Sequence, residues 1–436
     1  MVGVFVSTWG CPWLDPSDRG KGYRWGEVEY VFGGRRLKAR STLPLIVEVL
    51  EPSRVVVVVL DTVAHGEHAD YGGVVSQVEG MYKEFLGELG VDLSVELVVA
   101  PGIGDYPNGV FRGSMRDFYY YVLYRLAEAL RGLDGDVDLY LDLSHGINFM
   151  PVLVYRAVRE LAGLMALRRK VRLAVFNAEP YVRGVRQLRI HVVEDVEVSA
   201  EPVGYCFGGD KCRPLIPREG FPNDKRRELD GEVTSPLERM KGELNAFLGS
   251  IVNGLPLALS SFYPDTNFLS KYLSSIESVW RENISVKFED RLLVERMLSF
   301  SASFGLLVKV YFTGCVLGLE RSRIIGLSKI LELKDRVFSY SNKLEIIISN
   351  DIADISKHIR EKAEADGIPE GKWVRLREII EGGGFDPRNF VAHSGLERNS
   401  VEVCVEQHGN NILLRYAEDF LGKVMEAARL GLIPIK

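Results

Sequence analysis

Val137-Asp138-Leu139-Tyr140-Leu141-Asp142-Leu143-Ser144-His145-Gly146-Ile147-Asn148-Phe149-Met150-Pro151 decides the fold of the N-terminal half. Seven residues form a short apolar run. A hydroxyl, an imidazole, a glycine and an amide follow, and a helical pattern then runs from Phe149 to Leu167. A strand that passes through a small polar loop into a helix is the repeating unit of a parallel sheet, whose crossovers need a dozen or more residues. The unit recurs on both sides. Apolar runs stand at Val2 to Ser7, Arg54 to Leu60, Leu93 to Val99, Arg172 to Phe176 and Gln187 to Val193. Helical patterns cover Leu43 to Leu50, Val74 to Leu89 and Met115 to Leu130. Together they predict a doubly wound α/β Rossmann-like domain over residues 1–197.

Ligands of such folds sit beyond the carboxyl ends of the strands. Two loops there carry suitable chemistry. Ser144, His145, Gly146 and Asn148 suit a phosphate or nucleotide at a helix entrance, against the plainer reading of a strand-to-helix turn capped by Ser144. Thr8, Trp9 and Gly10, in Ser7-Thr8-Trp9-Gly10-Cys11-Pro12-Trp13, offer hydroxyls for a phosphate and tryptophans for a base, against tryptophans that fill the core. Gly102-Ile103-Gly104-Asp105-Tyr106-Pro107 has proline where a dinucleotide fingerprint needs glycine. Asp142 stands where a nucleophile elbow begins with glycine. His65-Gly66-Glu67-His68, with Asp61 and Asp70, reads as a solvated or ligand-facing loop, so no metal site is expected.

The chain has 436 residues, 46% hydrophobic and 26% charged, which suits a globular protein of two domains. Its start lacks the basic flank and long apolar run of a leader, and a cytoplasmic location is expected. Leu298 to Leu319 has membrane length, but Lys309 at its centre makes it a buried helix, so no membrane contact is expected. A formal charge of −6 argues against a protein that coats nucleic acid through a broad basic surface. Five cysteines without a C-x-x-C pair give no zinc-ribbon or thioredoxin-like signal, and Cys206 with Cys212 is the close pair that could form a disulfide.

Residues 198–236 read as a linker or insertion, rich in Gly, Pro and charge. From 237 to 436 the period becomes helical. Helices are predicted over Leu237 to Leu259, Asn267 to Trp280, Asp290 to Leu319, Ser322 to Ser349, Asp351 to Ala365, Lys372 to Glu381 and Tyr416 to Leu430. A β-hairpin, Ser400 to Gln407 and Ile412 to Arg415 around His408-Gly409-Asn410-Asn411, interrupts them.

Just before that hairpin lies Asp386-Pro387-Arg388-Asn389-Phe390-Val391-Ala392-His393-Ser394-Gly395, a short helix with Asp386 as N-cap, Pro387 at its first position and Ser394-Gly395 as its stop. Arg388 is in the first turn, where guanidinium, backbone N–H groups and helix dipole all favour a phosphate. Asn389 and His393 share a face; Arg388 lies roughly 140° from His393 at about 100° per residue. An arginine with a histidine is what metal-free RNA cleavage needs. Arg186 and His191 repeat the spacing, but on an alternating strand that puts them on opposite faces.

Asp-Leu-Ser-His-Gly-Ile-Asn at 142–148, joined to Arg-Asn-Phe-Val-Ala-His at 388–393, resembles the CRISPR-associated CARF/HEPN ribonucleases of type III systems. The resemblance implies a CARF N-terminal domain that binds a cyclic oligoadenylate, such as cyclic tetra-adenylate, through Thr8, Trp9, Gly10, Ser144, His145, Gly146 and Asn148. It implies a mainly α-helical HEPN domain, carrying the hairpin, that cleaves single-stranded RNA with Arg388, Asn389 and His393. It implies no cofactor or metal and a homodimer or larger oligomer. The alternative is a ligand-sensing regulator, or a protein that only binds the messenger, without nuclease activity.

Overall fold

The computed structural model describes every residue except 92–93, 183, 210, 366–367, 382, 407–410 and 436. By contact density the chain forms two discontinuous units. The first joins Met1–Ser199 with Pro214–Asp230 and Ser274–Val308; the second joins Ala200–Arg213, Gly231–Leu273 and Lys309–Lys436. A contiguous division at 197 and 237 assigns residues 274–308 to the helical domain, whereas their contacts are with the first unit.

The first unit is built on an eight-stranded sheet. Its strands are β1 (Val2–Trp9), β2 (Val28–Phe32), β3 (Arg35–Ala39), β4 (Arg54–Leu60), β5 (Val95–Ala100), and, after the hairpin β6 (Gly104–Tyr106) and β7 (Gly109–Arg112), β8 (Val137–His145), β9 (Val171–Ala178) and β10 (Gln187–Glu197). Their order is β3-β2-β10-β9-β8-β1-β4-β5. The five strands from β9 to β5 are parallel, and β10 turns back antiparallel to β9. Valine dominates β4 because a central parallel strand is covered on both faces: Val55 to Val59 are all at most 1% exposed. Helices α1 (Leu43–Leu50), α2 (Tyr71–Glu88), α3 (Met115–Leu130) and α4 (Met150–Met165) supply the crossovers. A capping box of Ser114 and Asp117 starts α3, and the Asp70 side chain caps α2.

β2 and β3 lie outside the expected strands. Their two-residue turn, Gly33-Gly34, has both φ values positive, which a hairpin of this type requires and glycine allows. The expected helix from Asp290 also changes character. Leu292–Arg296 and Leu298–Phe300 are strands, and helix begins only at Ala302. Leu292, Val294 and Arg296 face inward while Leu293 and Glu295 do not, a period of two, and the segment pairs with β7.

The second unit is mainly helical, with helices Ser235–Asn253, Pro256–Ser261, Asn342–Glu364 and Leu421–Ala428. The expected helices Ser322 to Ser349 and Asp351 to Ala365 divide instead into Leu327–Leu333, a π turn Lys334–Phe338 and the long Asn342–Glu364. Lys372 to Glu381 divides into strand Trp373–Arg375 and helix Leu376–Ile379. The expected hairpin is Val401–Glu406 against Asn411–Tyr416; its turn at 407–410 lies outside the described residues. Tyr416 therefore ends a strand rather than starting the final helix. Cys206 and Cys212 are both buried free thiols.

Candidate functional sites

At the carboxyl ends of β8 and β9, within the first unit, lies a cleft of about 490 Å³. Ser144, His145, Gly146 and Asn148 line it, joined by Arg24, Trp25, Tyr30, Asn177, Glu179 and Tyr181. Asp142, buried beneath, organises the loop: it accepts from the Ser144 backbone N–H at 3.0 Å, the Ser144 hydroxyl at 2.5 Å and the Thr42 hydroxyl at 2.6 Å. Ser144 Oγ in turn accepts from Ala178 N at 2.8 Å. Its hydroxyl is thus occupied in holding β8 to β9. The Thr42 backbone N–H donates to His145 Nε2 at 3.2 Å, which fixes the neutral tautomer with its proton on Nδ1. Burial pushes the His145 pKa down to about 4, against the opposing pull of Asp142. Asn148 takes a left-handed φ of 47°. Gly146 is required by space, since a Cβ there would collide with Thr8 Oγ1 and the Pro151 ring.

Thr8, Trp9 and Gly10 are not on the cleft wall. β1 runs to Trp9, beyond the Ser7 at which the sequence suggested it would end, so Thr8 and Trp9 are fully buried strand residues. Trp9 packs among Trp25, Tyr82 and Phe85, and Trp13 against Tyr82 and Phe85. Gly10 donates its N–H to His145 O at 2.8 Å, so it braces the loop from behind. The tryptophan at the cleft is Trp25, its ring 4.2 Å from the His145 ring and tilted by 30°. The chain after Trp13 folds back through a bridge to Tyr23, and Arg24 and Trp25 both donate to Pro12 O. That return loop has no regular period from which its position could be read.

In the second unit the short helix Pro387–Ala392 starts as expected, with Asp386 Oδ1 accepting from Arg388 N at 2.7 Å and Asn389 N at 3.0 Å. This corrects one expectation. The carboxylate of Asp386 already satisfies the N–H groups that a phosphate would use, so anion attraction rests on the Arg388 side chain. That side chain is exposed and, among the described residues, has no ion-pair partner. Ser394 and Gly395, with φ of 49° and 75°, end the helix, and Gly395 N donates back to Phe390 O at 2.8 Å.

His393 caps that helix with its side chain 58% exposed, and its Nδ1 lies 3.3 Å from Asp351 Oδ1 on the helix Asn342–Glu364. The other Asp351 oxygen accepts from Ser394 Oγ at 2.7 Å. Because a carboxylate only accepts, the pair favours a proton on Nδ1, which makes Nε2 the lone-pair nitrogen of the neutral ring. Asn389 and His393 both line a cleft of about 230 Å³ in this unit; Arg388 is outside it, as their angular spacing dictates. Asp351 and Ser394 were missed in the sequence, Asp351 because it is 42 residues distant and Ser394 because it was assigned only a stop.

His65 and His68 are structural. His68 Nε2 lies 3.0 Å from His65 O and 3.2 Å from Gln77 Oε1, and the Gln77 amide donates to His65 O at 3.0 Å. Among the described residues no helix is long and apolar enough to cross a membrane.

A Rossmann-like unit with a cleft at its strand ends, joined to a helical unit that carries an arginine and a histidine five apart, defines the CARF/HEPN class of ribonuclease. Residues 4–180 match the family described as CRISPR system endoribonuclease Csx1, CARF domain, and residues 341–418 match its HEPN domain. The chain is also 32% identical, over 412 residues, to the CRISPR system endoribonuclease Csx1 of Methanocaldococcus jannaschii, covering 90% of this chain and 87% of that relative. It belongs to the Csx1 family of CRISPR-associated endoribonucleases. The regulator without nuclease activity is thereby set aside.

Proposed function

We propose that this endoribonuclease is switched on by a cyclic oligoadenylate in the first unit and cuts single-stranded RNA in the second, without a metal, leaving 2',3'-cyclic phosphate and 5'-hydroxyl ends. The observation that carries the chemistry is the Asp351–His393 pair, on the same short helix as an exposed arginine that has no ion-pair partner among the described residues. His393 Nε2 takes the proton from a ribose 2'-hydroxyl as that oxygen attacks the adjacent phosphorus, and the bond to the 5'-oxygen breaks. Arg388 stabilises the charge that builds on the phosphoryl oxygens. One histidine per chain must serve base and acid in turn, or two chains must each supply one. A symmetric homodimer brings two copies of the helix 387–392 to one composite cleft.

In the first unit, Trp25 and the exposed Tyr181 offer stacking faces, Asn177 and Glu179 offer hydrogen bonds to a base edge, and the neutral His145 offers an N–H donor. A four-nucleotide ring shared across two copies would use each cleft for part of its circumference. The activator acts by binding the active form more tightly, so the coupling is reciprocal: RNA that occupies the nuclease must tighten the activator by the same factor.

The test is cleavage of a fluorogenic single-stranded RNA in excess EDTA, with and without cyclic tetra-adenylate. Cleavage that needs the activator, and is lost in His393→Ala, supports both halves. A requirement for added magnesium sinks the metal-free mechanism, and failure with both tetrameric and hexameric rings sinks the activator assignment.

A further inference from the structure

The cleft beside His393 is larger than the catalytic pair needs. Besides Asp351, Asn389 and His393 it is walled by Asp354, Glu397, Arg398, Asn399 and the glycines 383 and 384. At about 230 Å³ it is smaller than the roughly 300–1,000 Å³ that encloses a drug-sized ligand, and suits a single ring system.

Asn399 gives this space its character. It is 5% exposed, and both hydrogens of its amide are used, one on Gly383 O at 2.9 Å and one on Glu397 Oε1 at 2.6 Å. The amide cannot flip without losing both bonds. Its carbonyl oxygen has no partner among the described residues, and it is what Asn399 can offer to the cleft. Glu397 is held as rigidly, its Oε2 accepting from the backbone of Asn399 and of Ser400 at 3.0 Å each. Asp354 adds a second carboxylate, mobile rather than fixed because its side chain is 61% exposed, with Oδ1 3.5 Å from His358 Nδ1. The Arg398 guanidinium is tied back to Glu381 O. The fixed polar atoms are therefore mostly acceptors.

We propose that this cleft is a nucleobase subsite that selects, next to the cut, a base carrying an exocyclic amino group over uracil. The proposal rests on the reading of His393 as the nuclease histidine. Single-stranded RNA is read through splayed bases hydrogen-bonded at their edges. An amino group brings two hydrogens to Asn399 Oδ1 and its neighbouring carboxylates. Uracil has one N3–H flanked by two carbonyl oxygens, which face those carboxylates and are repelled. A site built to accept a hydrogen bond rejects ligands that leave it unmet.

The test uses the intact protein with activator and RNAs identical except at the nucleotides flanking one permitted cut, all others being 2'-deoxy. Adenosine or cytidine is expected to be cut at least 10-fold faster, in kcat/KM, than uridine. Purine riboside, which differs from adenosine only in lacking the amino group, should fall at least 10-fold below it. Asp354→Asn, on an exposed helix face, should narrow the gap, and Asn399→Ala should narrow it to about threefold or less. Equal cutting of adenosine and purine riboside, or a preference for uridine, overturns the proposal. If turnover is lost altogether, the same ratios read as binding of fully 2'-deoxy competitors decide the subsite separately from the nuclease mechanism. Should Asn399→Ala fail to fold, the purine riboside comparison still decides.

Discussion

At the scale of single residues, Asp351 is the informative case. Arg388, Asn389 and His393 could be read from the sequence because ten consecutive residues contain the cap, the helix and its stop. No local pattern connects Asp351 to them, since only the packing of another helix brings it to His393 Nδ1 at 3.3 Å. Carboxylates that orient a histidine at metal centres are worth roughly 10–100-fold in activity when removed, and the same order is taken for this pair. Asp351→Asn is therefore expected to lower kcat by roughly that factor with KM little changed, while His393→Ala abolishes turnover; an Asp351→Asn enzyme with full kcat would show that the pair is only a surface contact. His145 yields a prediction about pH. Its folded pKa of about 4 is below the ordinary 6.5, so it stabilises the fold fully above pH 6.5, and that contribution is lost as pH falls toward 4. Thermal unfolding from pH 7.5 to 4 should show a steeper loss for the native chain than for His145→Asn, and activator affinity should stay flat between pH 5.5 and 8 because the imidazole remains neutral throughout.

At the scale of elements, the loops separate what periodicity can reveal from what it cannot. The parallel strands were legible because burial on both faces demands unbroken apolar runs, and α3 has the bounds its helical period gave, Met115 to Leu130. The ends of strands were not, since nothing in Ser7-Thr8-Trp9 distinguishes two more paired residues from a loop, and that shift moved Trp9 from ligand wall to core. Trp25 holds the cleft position through a return loop fixed by backbone bonds to Pro12, the Trp13–Tyr23 bridge and packing on Trp9 and Phe85. The two tryptophans should thus respond oppositely to truncation. Trp9→Ala removes a fully buried ring and should cost about 3–5 kcal/mol of stability. Trp25→Ala should leave the unfolding midpoint within a few degrees but weaken cyclic oligoadenylate binding by at least 10-fold, measured by calorimetry. Equal effects of the two on affinity, at matched stability, would remove Trp25 from the ligand site.

At the scale of the whole molecule, the first unit is completed by residues that arrive late in the chain. Arg296 is fully buried; its guanidinium pairs with Asp61 and donates to Gly102 O at 2.9 Å, while Asp61 also accepts from Gly102 N at 2.8 Å and Tyr71 OH at 2.9 Å. Nearby Asp117, the capping residue of α3, accepts from Phe300 N at 2.9 Å. Sequence reading placed this segment in a helix of the other domain, because apolar residues from Leu292 to Leu317 satisfy either period and only Arg296, an arginine in an apolar run, hinted at a buried partner. Removing one member of a buried ion pair costs about 3–5 kcal/mol, as the remaining charge loses its compensation. Domains have only about 5–15 kcal/mol in hand. A fragment of residues 1–199, which holds the entire eight-stranded sheet but lacks Arg296 and Phe300, is therefore expected to unfold without a cooperative transition, or at least 15 °C below the full chain. Arg296→Met in the full chain, which leaves Asp61 buried without its counter-charge, should lower the midpoint in the same direction. If the fragment instead melts cooperatively within a few degrees of the full chain, residues 274–308 are an ornament on a self-sufficient sheet. If it does not, the segment between helices Thr266–Glu282 and Ala302–Leu317 is part of the first unit's own core.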